Sequence, residues 1–411
     1  MDREETMVCG LMVKDKIDEL LDNISKGKQL FKNRNTLHFS FTPTIIKHRD
    51  EEQKTVAKSL SPLLRSSRPS NLLVYGKPGT GKTLIVTQML DRYTKREELK
   101  KFPITMVYTN AKEETTLYGL LIDFGKQLGL TSLPPTGLSI SSIFNKLIEA
   151  INQNKLNTIF VIDEIDSLIK PNSKKSDKDV FYMLTRANER LENGFLMIIG
   201  ISNDLTFKER LDPRVLSSLR EEETVFSNYT VEQIREILED RIKEAFVPNV
   251  VDSAALNLCA AMSGQEHGDA RRAIDLLRVA GEIAEREQSD IVKEDHIRRA
   301  SLKMEEDKET TALNSYPLHE KLLMLAVMKA NGGTTGEIYQ SYKNLCKTTR
   351  QKELTQRRVT QMLSEIEMTG LISGKIIHQG MHGRTKKFAL TLNPDTIKKA
   401  FKEDLALEDL L

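Results

Sequence analysis

The chain of 411 residues is poor in the features that would place it in a membrane or an oxidising compartment. Its three cysteines, Cys9, Cys259 and Cys346, are odd in number and far apart, which supports neither a disulfide framework nor a zinc cluster. Free thiols are expected. No apolar run approaches membrane-spanning length, and the longest, Phe195 to Ile201, reads as a strand. The start, Met1-Asp2-Arg3-Glu4-Glu5, is charged and unlike a secretory signal. A cytoplasmic protein without a membrane partner is therefore expected. The net charge of +2 excludes nothing, so only the distribution of charge is informative. Hydrophobic residues at 39% and charged residues at 29% suit a soluble chain, and the length suits two or three domains.

What is present is concentrated in one stretch, Gly76-Lys77-Pro78-Gly79-Thr80-Gly81-Lys82-Thr83, directly after the apolar run Leu72-Leu73-Val74-Tyr75. This is the phosphate-cradling pattern G-x-x-x-x-G-K-[ST] between a buried strand and an amphipathic helix. The glycines let successive N–H groups converge on phosphate oxygens. Lys82 brings a point charge to the β- and γ-phosphates, and the Thr83 hydroxyl is a ligand for Mg²⁺. The helix starting here aims its positive dipole end at the same anion. ATP or ADP with Mg²⁺ is the expected cofactor. A chance glycine-rich match is disfavoured by the strand before and the helix after.

Further strands are expected at Ile104–Thr109, Thr158–Ile162, Phe195–Ile201 and Thr224–Phe226, with helices between them, as in a parallel five-stranded sheet covered on both faces. Asp163-Glu164 emerges from the strand Thr158–Ile162, the third in the chain, at the edge where ligands of open α/β sheets sit. Asp163 is expected to hold Mg²⁺ through a water, and Glu164 to orient and polarise the attacking water. Asn203, ending the fourth strand, either hydrogen-bonds the γ-phosphate or simply makes an Asn turn. Between strands two and three lies a helical insertion with an exposed tip at Leu130–Pro135. The first 40 residues, with Val13, Ile17, Leu20, Leu21 and Ile24 on one helical face, precede the nucleotide domain at 41–229.

From Thr230 the pattern is helical to about residue 303, with Asp269 placed as the N-cap of the helix that carries Arg271. A charged linker at 304–315 follows. Residues 316–411 read as three helices and a glycine-tipped hairpin, a winged helix. Residues 321–399 hold 14 Lys and Arg against 5 Asp and Glu, a net of +9 in a chain whose total is +2. That local excess is the footprint of a polyanion partner. Gln356, Arg357, Thr360 and Gln361 lie opposite the apolar stripe of the third helix and can read base edges. Arg384, Lys386 and Lys387 are read as hairpin-tip cations. His378 and His382 lack partners at ligand spacing and are read as surface residues. The closing Glu403–Leu411 segment is read as a frayed helix rather than a partner motif.

The phosphate loop, Asp163-Glu164, Asn203, Leu211–Leu219, Gly268-Asp269-Ala270-Arg271 and the winged helix together resemble the archaeal replication initiators related to the origin recognition complex and the cell-division-cycle helicase loader. The resemblance runs from about Phe31 to Phe401. It implies an AAA+ ATPase domain with a helical lid and a winged-helix domain. It also implies that Asn203 is sensor 1, that Arg271 is the lid arginine at the phosphates, and that Ile45, Ile46 and Arg49 wrap the adenine. Arg214 is the implied arginine finger toward a neighbour's nucleotide, with Arg220 as rival. The insertion at 115–140 matches one that contacts DNA in this family. The implied partners are double-stranded origin DNA, the replicative helicase and other initiator copies, in a nucleoid-associated setting. Two other readings stand beside it: a regulatory NTPase whose winged helix is a spacer, although such chains usually run on into repeats, and a clamp-loader subunit, which carries a collar domain instead.

Overall fold

A computed structural model describes residues 29–38, 40–99, 102–114, 116–131, 133–134, 136–168, 181–219, 221–265, 268–378, 384–402, 404, 407 and 410. The expected helix over residues 13–24 lies outside them. The chain divides into two compact units, Met1–Ile297 and Arg298–Leu411.

The first unit is built on strands β1 (Asn71–Gly76), β2 (Ile104–Asn110), β3 (Asn157–Asp163), β4 (Phe195–Ser202) and β5 (Glu221–Phe226). Their order is β2-β3-β4-β1-β5, and every pairing is parallel. Successive side chains of a strand point to opposite faces, so a central strand must be apolar throughout. β3 obeys this. Ile159 and Val161 pack with Val56 and Leu60 of α1 (Asp50–Leu60) and Ile85 and Val86 of α2 (Lys82–Thr94). Phe160 and Ile162 turn to α3 (Leu117–Gln127) and α4 (Ile140–Asn154), where Phe124 stacks on Phe160 at 4.2 Å between centroids. β5, entered from α5 (Pro213–Leu219), begins at Glu221 rather than at the expected Thr224. It is an edge strand, and its acidic residues are met by Ser59 and Lys208, so it needs no apolar start.

The insertion between β2 and β3 is a helical hairpin, as expected, but its turn is not wholly exposed. Leu133 is buried on Gly125, where an added Cβ would lie 2.3 Å from Leu133 Cδ1. The lid consists of α6 (Val231–Ala245), α7 (Ser253–Gln265) and α8 (Ala270–Arg286). Thr230 and Gln233 form a capping box at α6, and Asp269 caps α8 by accepting from the N–H groups of Arg271 and Arg272. Residues 30–33 fasten to α6, with Phe31 on Phe246 at 4.6 Å and Lys32 N donating to the Ala245 carbonyl at 2.7 Å. α9 (Glu294–Asn314) makes the charged run Glu305–Glu309 helical.

The second unit contains α10 (Leu318–Lys329), β6 (Gly333–Thr334), α11 (Thr335–Thr348), α12 (Gln356–Met368), β7 (Ile372–His378), β8 (Arg384–Leu390) and α13 (Pro394–Phe401). Its antiparallel sheet runs β6-β8-β7. Leu322, Leu325, Ile338, Tyr342, Val359, Leu363 and Phe388 are core. Of the closing segment, Asp404, Leu407 and Leu410 are described. Leu407 and Leu410 are buried in this same core, and Lys321 Nζ meets Asp404 Oδ2 at 2.9 Å. Two leucines three apart suffice to close the apolar surface that α10 and α13 leave open. Among the described residues no helix is long and apolar enough to cross a membrane, and both described cysteines, Cys259 and Cys346, are free and buried.

Candidate nucleotide site and nucleic-acid surface

The phosphate loop leaves β1 through Gly76 and enters α2 at Lys82. Gly79 and Gly81 have φ of +73° and +91°, a region that side chains resist. A Cβ on Gly79 would also lie 1.7 Å from Asp269 Oδ1, so the lid's capping carboxylate sits directly on the loop. Lys82 is buried. Its ammonium donates to the carbonyls of Gly76 and Lys77 at 2.7 and 2.8 Å and to Asn203 Oδ1 at 2.9 Å. All three acceptors are neutral. Burial pulls its pKa down to about 8; Asp163 opposes that shift and Arg271 adds to it. Among the described residues no carboxylate is ion-paired with this desolvated ammonium, which leaves it able to exchange its neutral acceptors for an anion.

At the end of β3, Asp163 Oδ2 accepts from Thr83 Oγ1 at 2.7 Å and from the Tyr108 hydroxyl at 2.9 Å, while Oδ1 accepts from the Glu164 N–H at 2.8 Å. Glu164 stands at φ +51°, and its carboxylate lies 3.6 Å from Lys112 Nζ. Asn203 is not a free turn residue. Its N–H donates to Asp166 Oδ1 at 3.0 Å, an oxygen that Ser202 also contacts at 2.8 Å, so its side chain is aimed at Lys82. Burial, and then Asp163, push the Tyr108 phenol well above its ordinary range, so it remains a donor.

Beside the loop lies a cavity of about 530 Å³, bordered by Ile45, Ile46, Gly79, Thr83, Tyr229 and Arg271 among others. Ile45 is 76% exposed within it, a large apolar side chain left for a flat apolar group. Loop glycines, the Thr83 hydroxyl and apolar Ile45 and Ile46 on the cavity, with the Asp163 carboxylate hydrogen-bonded to Thr83, are the group types that fit a Mg²⁺-nucleotide. Arg49, expected at the adenine, is not among the residues that border the cavity. Its buried guanidinium donates to the carbonyls of Thr80 at 3.0 Å and Ser227 at 2.5 Å, pairs with Glu52 at 2.8 Å and stacks on Tyr229 at 3.8 Å. It sets the loop from behind rather than lining the cavity. Arg214 does not border this cavity either. It lies on α5, paired with Asp212 at 3.0 Å and 5.3 Å from the Tyr182 ring centroid, in a second cleft with Arg68 and Arg186. Its rival Arg220 lies outside the described residues.

In the second unit, Gln356, Arg357, Thr360 and Gln361 are all exposed on α12, opposite the buried Val359, Met362, Leu363 and Ile366. Gln361 bonds Glu365 at 2.8 Å, whereas no acceptor among the described residues lies against Arg357. Lys386 and Lys387 stand on β8 rather than at the hairpin tip, opposite Ile376 and Lys375. The tip itself, with His382, is outside the described residues, and Arg384 is described only as the first residue of β8. Lys386 is ion-paired with Glu367 of α12, so its charge is already engaged. Lys387 and Lys375 are exposed and directly opposite, a like-charge pair, with the Glu337 carboxylate also in the field of Lys387.

Comparison with known proteins matches the same domains. An AAA domain model matches residues 65–205, a Cdc6 AAA+ ATPase-type lid model 235–302, and a CDC6 C-terminal winged helix model 311–400. The ORC1-type DNA replication protein of Cenarchaeum symbiosum is 62% identical over 399 residues, 97% of each chain. This chain belongs to the family of ORC1-type DNA replication proteins. The member from Pyrococcus horikoshii is 41% identical over 96% of this chain and 95% of its own. Among solved structures, the Aeropyrum pernix Orc1 protein in complex with DNA matches with a TM-score of 0.80 and 37% identity, over 93% of this chain and 100% of that one. Membership in an ORC1-type family of AAA+ ATPases sets aside the regulatory-NTPase and clamp-loader readings.

Sequence reasoning passed over three groups. They are Tyr108, Asp166 and Lys375. Tyr108 carried one signal: a hydroxyl near the carboxyl end of the strand next to the one bearing Asp163.

Proposed function

We propose that this ORC1-type protein binds double-stranded origin DNA through its winged helix, switches with ATP binding and slow hydrolysis, and helps recruit the replicative helicase, in the cytoplasm at the nucleoid. The observation that carries the switch is the link from Asp166 through Asn203 to Lys82. One buried ammonium is shared between the loop and a polar group at the end of β4, so an anion that takes Lys82 also releases Asn203. Bound Mg²⁺ would neutralise phosphate charge and orient the phosphate oxygens, held by Thr83 and, through water, by Asp163. Glu164 accepts the proton of the attacking water, and Arg271, in the first turn of α8, meets the phosphates. Ile45 and Ile46 receive the base. Arg214 faces away from its own cavity, which favours a role on the nucleotide of a second copy and slow turnover in a lone subunit.

The DNA reading rests on the exposed polar face of α12 and the net charge of that domain. Arg357 and Gln361 are placed to meet base edges, while Lys387, with Arg384, neutralises phosphates. The domain limits proposed are 41–229, 230–303 and 316–411. The test is a footprint on genomic DNA with ATP, ADP or no nucleotide, followed by retention of purified replicative helicase on the footprinted site. Protection of no preferred site would overturn origin binding, and helicase retention equal on scrambled DNA would overturn recruitment. Mixing Arg214→Ala with Glu164→Gln protein tests the finger: unchanged turnover and unchanged DNA-dependent assembly for Arg214→Ala would remove it.

A further inference from the structure

Asp163 has more donors than a metal-bearing carboxylate needs from its own loop. Oδ1 is fixed by the Glu164 N–H at 2.8 Å, and Oδ2 receives both Thr83 Oγ1 at 2.7 Å and the Tyr108 hydroxyl at 2.9 Å. Thr83 is the group that must present an oxygen lone pair to a cation when one arrives, while its hydroxyl hydrogen stays on Asp163. Tyr108 faces no such demand. It belongs to the neighbouring strand, and its hydroxyl reaches across the end of β3.

Tyr108 is itself unusually well fixed for a residue on an edge strand. The free side of its peptide backbone is closed by one side chain. Gln127 Oε1 accepts from the Tyr108 N–H at 3.2 Å, and Gln127 Nε2 donates to the Tyr108 carbonyl at 2.9 Å. Gln127 ends α3, and its amide is oriented in turn by Asp123 Oδ2 at 2.7 Å, an oxygen that also accepts from Thr109 Oγ1 at 2.7 Å. An edge strand ordinarily leaves these groups to solvent or to a pairing partner. Here the first helix of the insertion occupies them and sets the residue whose hydroxyl ends on Asp163.

We infer that Tyr108 is a positioning residue for Asp163, holding its carboxylate in the orientation that receives Mg²⁺, and that Gln127 of the insertion helix holds Tyr108 in turn. The inference rests on the Mg²⁺-nucleotide reading of the site. Supporting partners of this kind typically change metal affinity by about 10–100-fold when removed. Tyr108→Phe keeps the ring and its packing and deletes only the hydroxyl.

The test is binding of a fluorescent ATP analogue to the full chain, titrated with Mg²⁺ and repeated in EDTA. For Tyr108→Phe the Mg²⁺ concentration at half-maximal binding should rise about tenfold, while affinity in EDTA stays within about twofold of wild type. Gln127→Ala should move the Mg²⁺ midpoint in the same direction by less. In an Asp163→Asn background, Tyr108→Phe should change nothing further, because the coupled partner is already gone. An unchanged or lowered Mg²⁺ midpoint for Tyr108→Phe overturns the inference. An equal loss of affinity in EDTA also does so, since it reports a general structural role. If wild type itself binds the analogue equally with Mg²⁺ and EDTA, it is the Mg²⁺-nucleotide reading that fails, and the two failures are thereby distinguished.

Discussion

Lys82 in the phosphate loop and Lys386 in the winged helix are both cations drawn out of full solvent contact, and they are used in opposite ways. Lys82 is surrounded by two backbone carbonyls and one amide oxygen. Lys386 is ion-paired with Glu367, lies 5.3 Å from the Phe388 ring centroid, and fills space that Gly374 leaves open, where a Cβ would sit 2.4 Å from Lys386 Cε. Neutral acceptors compensate a buried ammonium only in part, so Lys82 gains by exchanging them for phosphate. A carboxylate compensates it fully, so Lys386 gains little from a second anion and serves instead to tie β8 to the end of α12. A lysine's function is therefore read from the charge of its neighbours, not from the local density of lysines.

Breaking the chemistry of the first region should give the largest effect. Glu164→Gln should bind ATP and lower steady-state turnover by about 10²–10⁴-fold, the usual worth of a general base. Equal phosphate release by mutant and wild type would remove Glu164 from that role. Lys82→Ala should weaken ATP by about 10–100-fold, measured by equilibrium binding, because it deletes a charge-assisted contact in a desolvated site.

In the second region Arg357→Ala should cost roughly 1–3 kcal/mol on the footprinted site and little on scrambled DNA, the signature of a base contact. The pH dependence sharpens the contrast on the Lys82 side. Its folded pKa of about 8 lies below its ordinary value of 10.5, so between these values the unfolded chain holds more of this proton. The Lys82 contribution to stability therefore rises with pH across that window, while the charge offered to phosphate is lost. ATP affinity should fall about tenfold from pH 7 to 9 in wild type and stay nearly flat in Lys82→Arg. The smallest effect separates the wing lysines. Lys387→Ala should lower the slope of log affinity against log salt by about one, and Lys386→Ala by distinctly less. Equal slopes for both variants would mean that the Glu367 pair opens on DNA and that the comparison fails.

The local features of this protein were legible in its residues because each depends on near neighbours in the chain. The phosphate loop needs glycines at fixed offsets. β3 and β4 need unbroken apolar β-formers, α12 needs its apolar stripe, and Asp269 needs only the next turn of backbone to act as a cap. What those residues could not determine is how strands from 38 (Asn157 to Phe195) to 150 (Asn71 to Glu221) residues apart are ordered, and the unforeseen contacts at the nucleotide site follow from that ordering. β1 lies between β4 and β5, which puts Asn203 against Lys82 and gives Arg49 the carbonyls of Thr80 and Ser227. β2 lies on the far edge beside β3, which brings Tyr108 to Asp163 and exposes a backbone for Gln127 to close. In the winged helix Lys386 of β8 meets Glu367 of α12, and Leu407 and Leu410 are buried in the core, contacts that depend on how the elements pack. Charge, burial and hydrogen-bond partners are properties of juxtaposed surfaces. A sequence specifies which side chains are available for them, and only the packed sheet and helices decide which ones meet.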